Sequence, residues 1–437
     1  MTKCTQDAFD FPPVKRRRVQ AEFSGGEVTS DGGVMLLRQA DRCTGLMEAV
    51  DRVVSDPRDP KLITHSQLSL LRQRVYGLAL GYEDLNDHER LRTDTALQTA
   101  VDRESDLGSQ ATLCRLEQRS NRKAAVALHR VLVEQFIASF KTPPKELVLD
   151  FDATDDPVHG RQEGRFFHGY YDRYCFLPLY VFCGDQLLVA YLRRSNIDAA
   201  KHAWAILALL VKRLRQSWPQ VRIVFRGDSG FCRWRMLRWC ERHDVGYIVG
   251  LARNDRLLAK IANFSFMAEL NYRDFGEKVR TFTDFHYAAH TWDRERRVIA
   301  KIEHGRKGAN PRFILSNLEG DPQALYDTLY CARGDMENRI KEQQLGLFAD
   351  RTSCHAWWPN QWRLLLSSLA YVLMETIRRT ALQGTELARA QVTTLRLKLL
   401  KIGAVIVRNT RRVRILLSSA YPYQELFRLA AARLTAG

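Results

Sequence analysis

The sequence predicts an α/β chain, a mixed-sheet core set between helical regions, and three observations lead there. Apolar residues recur at spacings of three and four from about residue 34 to 140, the pattern of helices that bury one face. At Glu146 the period drops to two and short apolar runs begin, as strands require. Helical spacing returns near Tyr330 and again over 362–381.

Residues 1–30 read as a basic arm: polar, with the cluster Lys15-Arg16-Arg17-Arg18 and the breaker Gly25-Gly26. Its cations suit a solvated tail or a DNA backbone equally well. Residues 31–140 read as a helical DNA-binding domain, with Leu68, Leu71, Val75 and Leu78, and later Leu128, Val131, Leu132 and Phe136, at helical spacing. Arg72, Arg74, Arg90, Arg92, Arg115, Arg119 and Arg122 suit phosphate contacts there, although surface helices also carry such charge for solubility. In 141–254 strands are expected at 147–151, 174–182 and 187–192, with Gly184-Asp185 as a hairpin turn. A helix at 199–216, a strand at 221–225, a helix at 234–242 and a strand at 247–251 follow. That order is the one of an RNase H-like fold, a mixed sheet flanked by helices. Residues 255–325 add strand candidates at 281–292, 297–303 and 312–317 and read as a β-rich insertion, ahead of a long helix beginning near Tyr330. Residues 326–383 supply the final helices of the core. Residues 384–437 form a basic C-terminal region, in which 396–401 and 408–414 flank the apolar run 402–407.

Charge narrows the function. With 67 Lys and Arg against 50 Asp and Glu, the formal net charge of the 437 residues is +17, which favours a polyanionic partner, nucleic acid first. The nine cysteines are scattered with no Cys-x-x-Cys pair, which argues against a disulfide framework or zinc ribbon. No signal peptide is visible, and apolar runs such as 364–374 are too short to span a bilayer, so a soluble intracellular protein without a membrane partner is expected.

Three acids stand where phosphodiester chemistry would need them. Two divalent ions about 4 Å apart can activate an attacking oxygen and offset charge on the leaving one, and a hard ion such as Mg²⁺ wants carboxylates aimed at one point. Asp152 follows the first strand in Leu149-Asp150-Phe151-Asp152-Ala153-Thr154, and Asp150, two residues away on the same strand face, is its rival. Both also suit a turn, since Asp155, Asp156 and Pro157 follow. Asp228 ends the strand Val224-Phe225-Arg226-Gly227, at the kind of strand end where ligands gather, and equally suits a helix N-cap. Glu337 shares a helical face with Tyr330, Arg333, Ile340 and Lys341, which would otherwise be an ordinary salt-bridged surface. His159 and His168 with Glu163 match no zinc spacing and read as turn residues.

Asp-Ala-Thr after the first strand, Arg-Gly-Asp-Ser-Gly-Phe after the fourth, and Tyr-x-x-Arg-x-x-x-Glu on a late helix together resemble the DDE transposases of bacterial insertion sequences. The insertion-sequence family numbered 1380, in the cut-and-paste group with a β-strand insertion, is the nearest match. Phe167-His168-Gly169-Tyr170-Tyr171 and Leu177-Pro178-Leu179-Tyr180 add to it, and the likeness runs from about residue 20 to 420.

The resemblance implies that Asp152 bridges two Mg²⁺ ions, with Mn²⁺ a substitute, while Asp228 and Glu337 each complete one site. It further implies that Tyr330 and Arg333 contact DNA phosphates, and that Trp292 in the insertion stacks on a flipped base, although a core position suits that ring too. Related chains often carry a lysine seven residues after the glutamate; Gln344 stands there, and Lys341 is the substitute phosphate contact. The implied partners are the terminal inverted repeats of the element, target DNA and a second subunit on the paired ends, in a bacterial cytoplasm at the nucleoid. A DNA-binding regulator without catalysis and a stand-alone RNase H-like nuclease are the rival readings.

Overall fold

The computed structural model describes residues 8–436, so the first seven residues of the basic arm, and Gly437, lie outside the described residues. Two compact units divide the chain: 121–345 with 349–368, and 1–120 with 346–348 and 369–437.

The first of these units is built on a nine-stranded mixed sheet. Its chain opens with α1 (Arg122–Ala138), whose N-cap Asn121 accepts the Ala124 N–H. β1 (Glu146–Ala153), β2 (Leu179–Cys183) and β3 (Gln186–Tyr191) run antiparallel to one another, and Gly184 takes φ +57° in the tight β2–β3 turn. α2 (Ala203–Ser217) leads to β4 (Arg222–Gly227), and α3 (Trp234–Arg242) to β5 (Gly246–Leu251); β4 lies parallel between β1 and β5. After α4 (Ala262–Phe275), the strands β6 (Val279–Tyr287), β7 (Arg296–Gly305), β8 (Gly308–Ala309) and β9 (Arg312–Ser316) complete the sheet. The order is β6-β7-β9-β5-β4-β1-β2-β3, with β8 paired to β7. A helical run then begins at Pro322, capped by Asp321, whose side chain accepts the Ala324 N–H, and passes through π and 3-10 turns into α5 (Gly334–Lys341).

Three differences from the sequence reading have physical causes. The stretch 174–182 is two strands, because Pro178 offers no N–H to a ladder: Arg173–Phe176 joins a small sheet with Asp156–Pro157 and Phe166–His168, and β2 starts at Leu179. The strands of 255–325 run on along the core sheet, since β9 pairs antiparallel with β5 and offers its far edge to β7. Two helices, Asp255–Lys260 and α4, precede them, and the period did not reveal α4 because Phe264, Phe266 and Met267 stay exposed while Ala268 faces the core.

Alternation along each strand splits the apolar residues between the two sheet faces. Leu147, Leu149 and Phe151 of β1 join a large core with Val133 and Phe136 of α1, Leu207 and Leu214 of α2, and Leu237 of α3. This is why α1, which helical spacing grouped with the preceding helices, belongs with the sheet. Val148, with Val224 and Ile248, lies on the other face under Leu325, Tyr326, Leu329 and Tyr330 of the helical run.

The second unit is helical, with short sheets. The helix Gln67–Leu80 is buried almost all round, so the charges on it must find partners inside. Arg72 donates Nε–H to Asp41 at 2.8 Å, and the same carboxylate accepts the Tyr76 hydroxyl and the Met47 N–H at 2.8 Å each. Arg74 pairs with Glu117 at 3.0 Å and reaches the Glu83 carbonyl at 2.9 Å. Neither arginine is available to a phosphate, which corrects the expectation for those two positions. Arg119 is held by Asp56 at 2.7 Å, whereas Arg90 and Arg115 are exposed.

Sequence-distant segments complete this unit. Gly32 and Gly33 donate to the carbonyls of Ile402 and Leu400, and a Cβ on Gly33 would fall 1.9 Å from Leu399 O. Glu27–Thr29 pairs with Ala404–Asn409, which pairs in turn with Arg412–Leu417. The helix Val34–Thr44 bonds to the Leu434 carbonyl of the last helix through Gln39 and Cys43. A polypeptide of residues 1–140 is therefore expected to show no cooperative thermal transition by circular dichroism, and co-expression with 369–437 is expected to restore one; a sharp transition for 1–140 alone would contradict this packing.

Candidate active site

Because Val148 lies on the sheet face covered by the helical run, Asp150 and Asp152 share that face. Their surroundings differ. Arg226, the register partner of Asp150 on β4, donates Nη2–H to Asp150 Oδ2 at 2.7 Å and Nε–H to Oδ1, and its Nη1 donates to the Leu329 carbonyl. Burial pushes the Asp150 carboxyl above its ordinary value, with the Arg226 guanidinium opposing.

Asp152 lies one step beyond that pair. Gly227 is in parallel register with Phe151, so the next residue, Asp228, stands beside Asp152. Asp228 caps the 3-10 turn Ser229–Phe231, its Oδ1 accepting the Gly230 N–H at 2.9 Å. On the helical run Arg333 donates to Glu337 Oε1 at 2.5 Å, and its Nη1 lies 3.5 Å from Asp152 Oδ2. Burial pushes the Asp152 carboxyl up to about 7; Arg333 and the Ala153 N–H pull it down, and the charges of Asp228 and Glu337 push it up. Asp152 and Asp228 thus end neighbouring strands, with Glu337 tied to Asp152 through Arg333, whereas Asp150 is taken up by Arg226. Among the described residues no three carboxylate, histidine or cysteine side chains are gathered tightly enough to enclose a metal ion, and the Arg333 cation bridges two of the acids.

The phenol of Tyr330 completes the group. Burial raises its pKa, with the Arg333 charge opposing and the Asp228 charge adding to the rise. Its hydroxyl and the Asp228 turn both come close to β5 because residue 250 is glycine: a Cβ there would stand 2.7 Å from both the Tyr330 hydroxyl and the Ser229 nitrogen. Arg226 entered the sequence reading only as part of the Arg-Gly-Asp-Ser-Gly-Phe motif, with no role of its own, and Gly250 did not enter it. Arg226 carries a signal, a cation near the end of an apolar strand; Gly250 carries none without the fold.

Lys341 is exposed at the end of α5, one turn beyond Glu337, and Gln344 donates to the Asp155 carbonyl at 3.0 Å. Trp292 is not brought to the acids. It lies in the β6–β7 connection, at the sheet end opposite the C-terminal ends of β1, β4 and β5, by the registers of β5 with β9 and β9 with β7. Four strand spacings, about 20 Å, also separate β7 from β1. There its ring meets Tyr287 edge-on at 5.7 Å, with Arg296 over its face, and packs against the core. The Glu163 carboxylate accepts the Trp357 N–H at 3.2 Å.

The site yields two expectations. With Asp152 titrating near 7 in the fold and near 3.8 when unfolded, the folded state holds a proton that the unfolded chain releases, so the stability of metal-free protein should fall as pH rises from about 4 to 7. Urea unfolding at pH 5 and pH 8 is expected to show that loss in the parent protein and much less of it in Asp152→Asn; equal slopes would refute the assignment. Gly250→Ala should destabilise by about 1–3 kcal/mol through overpacking against backbone, read as a lower urea midpoint, and an unchanged midpoint would mean that the Asp228 turn is not so closely seated.

Residues 11–436 match the family described as transposase DDE domain group 1. Among solved structures, the cryo-EM structure of a piggyBac transposase synaptic complex with hairpin DNA is similar at a TM-score of 0.43 and 9% identity, over 85% of this chain and 79% of that one. No curated protein matches the chain. With the family match running over nearly the whole length, the chain belongs to the DDE transposase domain family, group 1.

Proposed function

We propose that this protein is an insertion-sequence transposase of the 1380 type that binds the terminal inverted repeats of its element, cleaves DNA there and joins the ends to target DNA. The observation that carries the proposal is that Asp152 and Asp228 stand side by side at the ends of the parallel strands β1 and β4, with Glu337 joined to Asp152 through Arg333. The strand order β3-β2-β1-β4-β5, with β2 antiparallel and β4 parallel to β1, supports an RNase H-like core. The net charge of +17 supports a DNA partner, and assembly of two subunits on paired ends goes with the family reading.

The donor chemistry fits hard divalent cations: all three side chains are carboxylates, and two of them, Asp152 and Glu337, already take a cation, the Arg333 guanidinium, between them. Asp152, Asp228 and Glu337 would hold Mg²⁺, or Mn²⁺ in its place, which supplies, when bound, a polarised phosphodiester and a more acidic attacking hydroxyl. Asp152 gives up the proton that burial lets it keep near neutral pH. Arg333 is then free to leave the carboxylates for a phosphate oxygen, to which it donates in a planar fork. Tyr330 donates its hydroxyl to the same backbone, and Lys341, exposed a turn later, meets a phosphate further along.

Asp152→Ala, Asp228→Ala and Glu337→Ala are each expected to reduce metal-dependent cleavage of end DNA to background with binding retained. Asp150→Ala, which strands Arg226, should instead lower stability by roughly 3–5 kcal/mol. Cleavage with the DNA ends of the element and purified variants, alongside urea unfolding, measures both. Normal cleavage by Asp152→Ala would overturn the assignment, and cleavage without joining of pre-cut ends would make the protein a nuclease instead.

A further inference from the structure

The basic C-terminal segment folds into a feature that the active-site reading leaves unused. Strands Ala404–Asn409 and Arg412–Leu417 form an antiparallel ribbon anchored at its base, where Ala404 and Ile406 are buried and Glu27–Thr29 adds a third strand. From residue 407 to 414 every residue is exposed. Asn409 pairs with Arg412 across the two-residue turn, and its side chain accepts the N–H groups of both Arg411 and Arg412 at 3.0 Å, which stiffens the tip. The charge is one-sided. Arg408 is paired with Glu27 at 3.2 Å, but Arg411, Arg412 and Arg414 make no ion pair among the described residues.

Register places Val405, Val407, Arg412, Arg414 and Leu416 on one face of the ribbon, opposite the face that carries Ala404 and Ile406 into the core. Val405, Val407 and Leu416 on that face are 38–46% exposed. A stiff two-stranded ribbon with free guanidinium groups around a narrow apolar strip matches the duplex major groove, which is wide enough to admit a β-ribbon and presents phosphates at its rims and thymine methyls on its floor.

We propose that the ribbon 404–417 is a duplex-DNA-binding element, its tip entering the major groove with Arg411, Arg412 and Arg414 at the phosphates and base edges and Val405, Val407 and Leu416 against sugars and methyl groups. This rests on the reading of the chain as a DNA-processing enzyme and adds an element that holds the duplex.

The test compares full-length protein with the triple variant R411A/R412A/R414A and with R411K/R412K/R414K. Binding to the duplex ends of the element is followed by fluorescence anisotropy across a salt series, with cleavage at saturating DNA and sedimentation in parallel. Each phosphate that an arginine neutralises steepens the fall of log affinity with log salt by about 0.9. The alanine variant, with up to three fewer neutralised phosphates, should therefore show a shallower slope and weaker binding, and the lysine variant should regain most of the slope. Thermal midpoints should match, since all three side chains are exposed. A parent protein that binds and cleaves, with an alanine variant of equal affinity and slope, overturns the ribbon assignment alone. A parent that neither binds nor cleaves overturns the functional reading beneath it. Loss of self-association in the variant with DNA binding intact would make the face an interface between copies and overturn the proposal.

Discussion

The guanidinium of Arg226 joins three elements at once: its own strand β4, the neighbouring β1 through Asp150, and the helical run through the Leu329 carbonyl. Removing either charge would leave the other buried without a partner, which costs far more than an exposed pair contributes. The setting of Asp152 depends on this clasp. With Asp150 committed to Arg226, the next carboxylate on the same face, Asp152, is left to Arg333, which also holds Glu337. Because the clasp ends on the backbone of residue 329, it also sets the position of Tyr330, Arg333 and Glu337 over the strand ends.

Close approach is the second requirement. The Asp228 turn and the Tyr330 hydroxyl can meet over β5 because residue 250 has no Cβ, and the helical run that carries Tyr330 is wound in π and 3-10 turns before α5 begins. Such departures from α geometry re-aim side chains and recur at functional sites. Burial beneath that run pushes the Asp152 carboxyl up to about 7, with the Arg333 guanidinium opposing the shift.

Buried charge also organises the helical unit. Asp41 gathers Arg72, Tyr76 and the Met47 N–H, and Arg74 is closed between Glu117 and two backbone carbonyls. These arginines count toward the net charge of +17 but do not present it to a partner; the exposed cations of this unit include those at the tip of the 404–417 ribbon. Net charge therefore favours a polyanionic partner without pointing to a surface.

By itself the sequence determined the order of the core-sheet strands and the two long helices from 146 to 251, though not the small sheet of 156–176, and the positions of Asp152, Asp228 and Glu337 at strand ends and on a helix, because period, chain breakers and motif spacing are local properties. Strand position alone left Asp150 and Asp152 equivalent and only the motif resemblance favoured Asp152, since two residues apart on a strand look alike until a partner strand puts a guanidinium beside one of them. The same limit hid the path of β6–β9 onto the edge of β5, the return of 369–437 to complete the unit that 1–120 begins, and the placing of Trp292 at the far end of the sheet. Those arrangements join residues tens to hundreds of positions apart. They are decided by which apolar faces and unpaired edges meet in the folded chain, and a pattern read along a single segment does not contain that information.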